Sequence, residues 1–285
     1  YQRGNRYFYS KNDGLQNQSV LYTAKSLTDK PTVLLDPNTL SKDGTVALAG
    51  TAISRDGKLM AYGLAASGSD WTEWRVRDVA TGKDRPDHLK WVKFSRASWD
   101  RDGKGFYYRR YDEPDEKTKL QQANLNQKMY YHRIGTPQSA DELVYERPDQ
   151  PKWMLGGGTT DDGRYLVIYV SEGSSSNNRL FYKDLKQKDA QVVELITAFE
   201  AQYSPIDNDG PVFYVETNLD APRGRVIAID LRRPDKKFWR EIIPQSEETL
   251  QGASLFGKEF IATYLKDAHT QVKRFDITGK PLGEV

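Results

Sequence analysis

The chain has 285 residues, contains no cysteine and carries 42 Lys and Arg residues against 40 Asp and Glu, for a net charge of +2. The balanced charge argues against a nucleic acid or an anionic membrane as partner, and the missing thiols exclude disulfide bonds and cysteine catalysis. No apolar run reaches membrane-spanning length and the N-terminus lacks an apolar signal core, so we expect a soluble protein, in either the cytoplasm or the periplasm.

Six turns centred on glycine recur along the chain at intervals of 46 to 60 residues. They lie at Gly4, Gly57, Gly103, Gly163, Gly210 and Gly257. An aspartate that closes a strand pattern follows four of these glycines by 19 to 21 residues, at Asp78, Asp184, Asp230 and Asp276. A repeat near 50 residues with several strands per unit is typical of a β-propeller, in which each repeat forms one four-stranded blade.

The segments between these turns predict one all-β propeller domain over residues 1–285, with blades near 1–44, 45–94, 95–150, 151–198, 199–247 and 248–285. Three strands are predicted in each of the first three blades: Arg6–Ser10, Ser19–Ala24 and Thr32–Asp36; Thr45–Ile53, Leu59–Leu64 and Glu73–Val79; Arg96–Trp99, Gly105–Arg110 and Lys128–Arg133. Blade 4 has Met154–Thr159, Tyr165–Val170, Arg179–Asp184 and Gln191–Leu195, and blade 5 has Glu200–Ser204, Pro211–Thr217, Arg225–Asp230 and Phe238–Ile243. Blade 6 has Thr249–Phe256, Glu259–Tyr264, Gln271–Asp276 and Leu282–Val285. We interpret Asp84–Asp87 as a solvated loop of mixed charge, and the polar stretch 113–125 carries at most a short helix.

The chain contains no recognisable catalytic machinery. It lacks the Gly-x-Ser-x-Gly motif that marks the nucleophile of an α/β-hydrolase. Its three histidines, His88, His132 and His269, are scattered among the repeats without metal-ligand spacing, so we interpret them as surface or strand residues. We therefore expect no catalytic residue, no metal ion and no cofactor in this chain.

Several ordered stretches are more specific than a generic propeller. They are Lys11–Gln18, Leu35–Asn38, Tyr62–Leu64, Ser67–Trp71, Val92–Ser95, Lys128–His132, Pro151–Met154 and Asn178–Leu180. In this order and at these spacings they resemble the propeller of the prolyl oligopeptidase family, and the resemblance extends from end to end. Ser-Gly-Ser-Asp-Trp followed by Val-Lys-Phe-Ser is a specific combination.

This resemblance implies a serine endopeptidase that cleaves short peptides after proline. Members of the family combine an α/β-hydrolase domain, which holds the Ser/Asp/His triad, with a seven-bladed propeller that covers the active site. On this comparison the chain is the non-catalytic, substrate-gating propeller of a monomeric enzyme and is inactive alone. The peptidase domain and the seventh blade would lie outside it, since six turn signals are present and a strand already begins near Tyr7.

The same resemblance nominates residues for the substrate pocket and the domain interface. Asp70 and Trp71 match the Ser-Gly-Ser-Asp-Trp motif, and Asp70 would either pair with an arginine of the catalytic domain or cap the loop before Trp71. Phe94 and Met154 match residues that line the pocket for the more N-terminal side chains of the peptide, with ordinary core packing as the alternative.

Two further candidates mark a departure from the family pattern. Ser171 and Ser174 stand where animal members carry an arginine and a cysteine, so an arginine contact with the substrate backbone would be lost or supplied from elsewhere.

The alternative function is a stand-alone propeller of the TolB or WD-repeat kind that serves as a protein-interaction platform. Against it, the Trp-Asp endings and Gly-His pairs of WD repeats are absent.

Overall fold

The computed structural model describes residues 1–115, 117 and 123–285. Over these residues the chain is all β, with 24 strands in six four-stranded antiparallel sheets. Three short 3-10 helices accompany them, at Pro37–Thr39, Gln138–Ala140 and Lys236–Phe238. Within the described ranges, no helix is long and apolar enough to span a bilayer. The predicted fold class, a propeller of four-stranded blades, is confirmed. Part of the stretch 113–125, for which at most a short helix was predicted, lies outside the described residues.

The chain divides into two compact units, Tyr1–Thr159 and Thr160–Val285. Strands of the first unit are β1 (Gln2–Arg3), β2 (Arg6–Lys11), β3 (Val20–Ala24) and β4 (Thr32–Leu35) in blade 1; β5 (Val46–Ile53), β6 (Leu59–Ala66), β7 (Thr72–Asp78) and β8 (Asp84–Val92) in blade 2; β9 (Ser98–Trp99), β10 (Gly105–Arg110), β11 (Lys128–Arg133) and β12 (Glu142–Tyr145) in blade 3; and β13 (Trp153–Thr159), the first strand of blade 4. Strands of the second unit are β14 (Tyr165–Glu172), β15 (Arg179–Asp184) and β16 (Val193–Ile196) of blade 4; β17 (Tyr203–Asp209), β18 (Val212–Thr217), β19 (Arg225–Asp230) and β20 (Arg240–Ile243) of blade 5; and β21 (Thr249–Phe256), β22 (Glu259–Lys266), β23 (His269–Asp276) and β24 (Pro281–Glu284) of blade 6.

Three strands, β1, β8 and β12, were not predicted from the sequence. The interpretation of Asp84–Asp87 as a loop is wrong, because these residues begin β8, although the first three of them are exposed as expected. Two of their charges are paired: the guanidinium of Arg77 on β7 donates two hydrogen bonds to the exposed Asp84 carboxylate, at 2.7 and 3.0 Å, and the buried Asp87 lies 3.0 Å from His132. Pairing across the sheet therefore allows a charged segment to form an edge strand.

Apolar side chains of neighbouring blades form the core of each unit. In the first unit Phe8, Leu34 and Met60 pack between blades 1 and 2, and a second cluster with Trp74 and Phe106 lies between blades 2 and 3. In the second unit two clusters pack between blades 4 and 5 and between blades 5 and 6, with members Tyr165, Phe213 and Ile227, and Tyr214, Phe260 and Ala262. Burying one such large side chain contributes about 1.5–3 kcal/mol, so stacking of neighbours stabilises each blade.

The turn between β5 and β6 shows why the repeat carries an Asp-Gly pair. Ser54 Oγ donates to Asp56 Oδ1 at 2.7 Å and accepts from the Leu59 amide at 2.9 Å, which satisfies the polar groups of the turn. Gly57 has a φ of +73°, and a Cβ built on it would lie 2.5 Å from the carbonyl oxygen of Arg3 in blade 1. Glycine is needed here both for the left-handed conformation and for the close approach of the first blade.

Candidate functional site

Four of the six predicted site residues lie in the first unit. Asp70 and Trp71 end the connection between β6 and β7, Phe94 lies two residues beyond β8, and Met154 is on β13. Asp70, Trp71 and Phe94 belong to blade 2 and Met154 to blade 4. Residues of blade 3 connect the segments that carry them. Ionic, aromatic and hydrogen-bonding contacts link most of these residues, as described below.

The segment from Trp91 to Ser95, which we call the 91–95 corner, is held through four consecutive carbonyl groups. The Trp91 carbonyl accepts from the Tyr111 amide at 3.0 Å, and the Val92 carbonyl accepts from Thr72 Oγ1 at 3.1 Å. The next two carbonyls, of Lys93 and Phe94, each accept at 3.1 Å, the first from Gln127 Nε2 and the second from Arg109 Nη2. The corner is thus preorganised by donors from blades 2 and 3.

Phe94 combines backbone strain with exposure of its ring. Its φ is +54°, in the left-handed region that bulky residues rarely adopt, and the residue is 50% exposed. Such strain costs on the order of 1–3 kcal/mol and is concentrated at binding and active sites. Because the ring is not buried, hydrophobic packing does not offset this cost, which favours a binding role over the core-packing alternative.

Lys93 gathers the predicted residues of blade 2 around one cation. Its Nζ lies 3.6 Å from Asp70 Oδ2 and 5.2 Å from the centroid of each of two rings, Trp71 and Phe94. The lysine side chain is 11% exposed, whereas the Asp70 carboxylate is 65% exposed. The cation is therefore confined between two aromatic faces, and Asp70 keeps most of its carboxylate available to a further partner.

Tyr111 also contacts the Trp71 ring. The two rings meet edge to face, with their centroids 6.0 Å apart. Burial raises the pKa of Tyr111 to about 12, so its hydroxyl is neutral over the physiological range. Trp71 therefore contacts both the Lys93 ammonium and a neutral aromatic ring.

Met154 is tied to the corner by a residue that sequence reasoning missed. Gln127, which immediately precedes β11, is 4% exposed and accepts from the amide of Leu155, next to Met154, at 2.7 Å. The same side chain donates to the Lys93 carbonyl, next to Phe94. One buried amide group therefore joins the backbones beside both predicted pocket residues.

Gln127 is one of a set of amide side chains that precede the third strand of a blade and bind the first strand of the next; we call them amide latches. Gln18, before β3, donates to the Val46 carbonyl and accepts from the Leu48 amide on β5, both at 2.9 Å. Asn178, before β15, donates to the Tyr203 carbonyl on β17 at 3.0 Å and accepts from its amide at 2.7 Å. The recurrence of Gln or Asn before the third strand is a sequence signal that could have identified them.

Ser171 and Ser174 belong to the second unit. Ser171 lies near the end of β14, and Ser174 follows Gly173, whose φ of +60° turns the chain toward β15. Ser171 is partly buried and Ser174 is exposed. Both hydroxyls flank the hairpin turn, as their predicted place around Glu172 and Gly173 requires.

A buried ionic cluster lies elsewhere in the first unit, between blades 2 and 3. His132 on β11 is fully buried, with Nε2 3.0 Å from Asp87 Oδ1 on β8 and Nδ1 2.7 Å from Asp141 Oδ1. Burial lowers the pKa of His132, but hydrogen bonds and charge from Asp141 and Asp87 outweigh it and raise the pKa to about 9. For Asp87, burial acts in the direction of a higher pKa. Hydrogen bonds from His132 and from the Gly135 amide outweigh burial and hold the pKa of Asp87 below its ordinary value. His132 is thus a strand residue that carries a structural charge.

Among the residues that the structure describes, no group of three or more His, Asp or Glu side chains is arranged to hold a metal ion. The site in the first unit offers aromatic, thioether and charged surfaces together with a strained backbone, which are features of a binding wall.

Comparison with known proteins identifies the fold more closely. The model of the prolyl oligopeptidase N-terminal beta-propeller domain matches residues 1–285. A prolyl endopeptidase of Elizabethkingia meningoseptica is 39% identical over 280 residues, which are 98% of this chain and 39% of that protein. Prolyl oligopeptidase A of Galerina marginata is 34% identical over 313 residues, covering 99% of this chain and 42% of the relative.

Solved structures agree with these relatives. A prolyl endopeptidase structure from a study of inter-domain dynamics superposes with a TM-score of 0.90 at 36% identity, over 100% of this chain and 40% of that one. Prolyl oligopeptidase B of Galerina marginata, bound to a 35mer hydrolysis and macrocyclization substrate, gives a TM-score of 0.91 at 30% identity, over 99% and 42% of the two chains. The chain therefore spans about two fifths of the length of the relatives it matches, and a stand-alone platform is not favoured.

Proposed function

Since this chain belongs to the prolyl oligopeptidase family, as its N-terminal β-propeller domain, we propose that it is the non-catalytic, substrate-gating propeller of a serine endopeptidase that cleaves short peptides after proline. The match of the propeller model to residues 1–285 carries this proposal, together with relatives named prolyl endopeptidases of which the chain covers about two fifths. The remaining part of the full-length protein would supply an α/β-hydrolase domain with the catalytic triad. The two domains would act together as a monomer.

The propeller acts by exclusion and by completing the site. Packed blades over an active site admit short, flexible chains, and separation of the two domains opens the entrance on a microsecond to millisecond timescale. The study of the solved prolyl endopeptidases concerns the role of inter-domain dynamics in catalysis and specificity, which supports a gating step of this kind. Closure brings the propeller's wall against the bound peptide, and positioning of the peptide then assists the chemistry.

The geometry of the first unit gives this wall its components. Phe94 presents an exposed ring from a preorganised corner, and Met154 lies on β13, where its neighbour Leu155 bonds to Gln127. These apolar groups contact the more N-terminal side chains of the peptide. Asp70, with Trp71 beside it, pairs across the domain interface with a cation of the catalytic domain, for which its exposed carboxylate is available.

The second unit contributes Ser171 and Ser174 to the same function. Short hydroxyl side chains at these two positions leave room for the peptide and provide weak hydrogen-bonding groups in place of an arginine. Subsite preferences of this protein therefore differ from those of relatives that carry the larger cation.

Hydrolysis of a fluorogenic Gly-Pro reporter tests the proposal, with this chain and the full-length protein assayed side by side. Activity in the full-length protein alone is the expected result. Activity in neither would overturn the peptidase assignment and support an interaction platform, whereas activity in this chain alone would show that the propeller itself is catalytic.

A further inference from the structure

We propose that Gln127 is a positioning residue that holds the 91–95 corner and so orients Phe94 toward the more N-terminal part of a bound peptide. The inference rests on the proposed function, because it assumes that Phe94 contacts the peptide. Gln127 itself is 4% exposed and both ends of its amide are bonded to main-chain groups, so it acts through Phe94 rather than by touching the substrate.

The contacts of Gln127 are suited to this role. Its Nε2 donates to the Lys93 carbonyl at 3.1 Å and its Oε1 accepts from the Leu155 amide at 2.7 Å, so both ends of the side-chain amide are used. The Lys93 carbonyl belongs to the peptide group that leads into Phe94, whose φ is +54°. A hydrogen bond at this carbonyl opposes rotation of the peptide group and thus relaxation of Phe94 out of its strained conformation.

The departure of Gln127 from the other amide latches is a second, independent observation. Gln18 directs both of its hydrogen bonds to β5, and Asn178 bonds both the amide and the carbonyl of Tyr203 on β17. Gln127 also accepts a hydrogen bond from the first strand of the next blade, from the Leu155 amide on β13. Its Nε2, however, donates to the Lys93 carbonyl, which lies in the connection between β8 and β9. A latch that served only to join two blades would not need this redirected bond.

Arg109 alone cannot replace the lost constraint. It donates to the Phe94 carbonyl at 3.1 Å, and its amide donates to Ser95 Oγ at 2.8 Å, so it holds the peptide group that follows Phe94. Rotation about Phe94 involves both flanking peptide groups, and Gln127 holds the one that precedes it. Both donors are therefore required to keep the ring in one orientation.

The test compares Gln127→Met, Phe94→Ala and the double variant in the full-length protein. Methionine keeps the length and much of the volume of glutamine but removes both hydrogen bonds. Each variant is assayed with the minimal Gly-Pro reporter and with a reporter extended by two residues on the N-terminal side. Gln18→Met is the matched control, since it removes the same two kinds of hydrogen bond between blades 1 and 2.

We expect Gln127→Met to raise KM for the extended reporter by about tenfold, with kcat nearly unchanged and the minimal reporter little affected, because ordering one side chain at a binding site costs up to about a factor of ten. The Gln18→Met control should lower the melting temperature without this split between reporters. The double variant should be no worse than Phe94→Ala, because the two residues act as a unit.

Additive effects in the double variant, or equal changes for both reporters, would overturn the inference while leaving the role of Phe94 intact. No effect of Phe94→Ala on the extended reporter would remove the proposed pocket role and the inference with it. If Gln127→Met does not fold, Gln127→Glu provides the test through its pH profile. Protonation of the introduced carboxyl restores a donor to the Lys93 carbonyl, so KM relative to the unmodified protein should fall between pH 8 and pH 5, and a constant ratio would contradict the inference.

Discussion

The ionic cluster around His132 predicts that the stability of the first unit decreases as the pH rises. The unfolded histidine has a pKa of 6.5, and in the folded chain the pKa is raised to about 9. A group with a raised folded pKa contributes stability that is complete below pH 6.5 and is lost as the pH passes through about 9. The difference between these two pKa values corresponds to about 3 kcal/mol.

A second route to the magnitude gives a similar value. Asp87 and Asp141 have fully buried side chains, and the Tyr108 hydroxyl also donates to Asp141 Oδ2 at 2.6 Å. Removing the histidinium would leave two carboxylates without their cation, and breaking a buried pair in this way costs about 3–5 kcal/mol. We therefore expect His132→Gln to lower the free energy of unfolding by about 3 kcal/mol at pH 6.

Urea unfolding followed by tryptophan fluorescence measures this loss, because five of the six tryptophans lie in the first unit. At pH 10 the histidine of the unmodified chain is neutral as well, so the difference between the two proteins should nearly vanish. His88→Gln is the control: His88 lies 2.6 Å from Glu73 but both side chains are partly exposed, so its loss should stay below about 1 kcal/mol. An equal deficit of His132→Gln at pH 6 and pH 10 would refute the reasoning.

Two further predictions concern the turns and the corner. Gly57→Ala should destabilise the chain by at least 1 kcal/mol more than Gly257→Ala, because both glycines have positive φ but, of the two, only Gly57 lies close to another backbone segment. The melting temperatures of the two variants measure this difference. Equal losses of stability would contradict the clash with the Arg3 carbonyl. Phe94→Gly should be more stable than Phe94→Ala by about 1 kcal/mol, because glycine adopts a φ of +54° without strain. In the full-length protein, both variants should raise KM for extended reporters more than for minimal ones. If Phe94→Ala is as stable as Phe94→Gly, the backbone at Phe94 is not strained. If KM changes equally for both reporters, Phe94 does not contact the extended part of the peptide.

Sequence reasoning identified the blades because their turns have a local cause. Asp-Gly pairs meet the backbone demands of tight hairpins, and strands such as β14 and β18 are rich in apolar residues that predict burial. Strand β8 was missed because two of its charges are paired with side chains of other strands, Asp84 with Arg77 on β7 and Asp87 with His132 on β11. Strand β1 is only two residues long and is defined by its pairing with β2.

The candidate site was predictable only in part for the same reason. Resemblance nominated Phe94 and Met154, but the left-handed φ of Phe94 and the hydrogen bonds that maintain it depend on tertiary contacts. An amide residue before a third strand could mark Gln127 as a latch to the next blade, but no local pattern indicates that it also reaches Lys93, 34 positions earlier in the chain. The interaction of Lys93 with two rings likewise needs the connection before β7 to fold against the end of β8.

The amide latches have a consequence for how such a chain can change during evolution. Gln18, Gln127 and Asn178 bind main-chain groups, and every residue except proline offers the same amide and carbonyl whatever its side chain. A junction built in this way does not depend on the side chains of the strand it binds. Successive repeats can therefore lose almost all similarity to one another, and a duplicated repeat can be inserted beside an unrelated one, while the hydrogen bonds that join neighbours are retained.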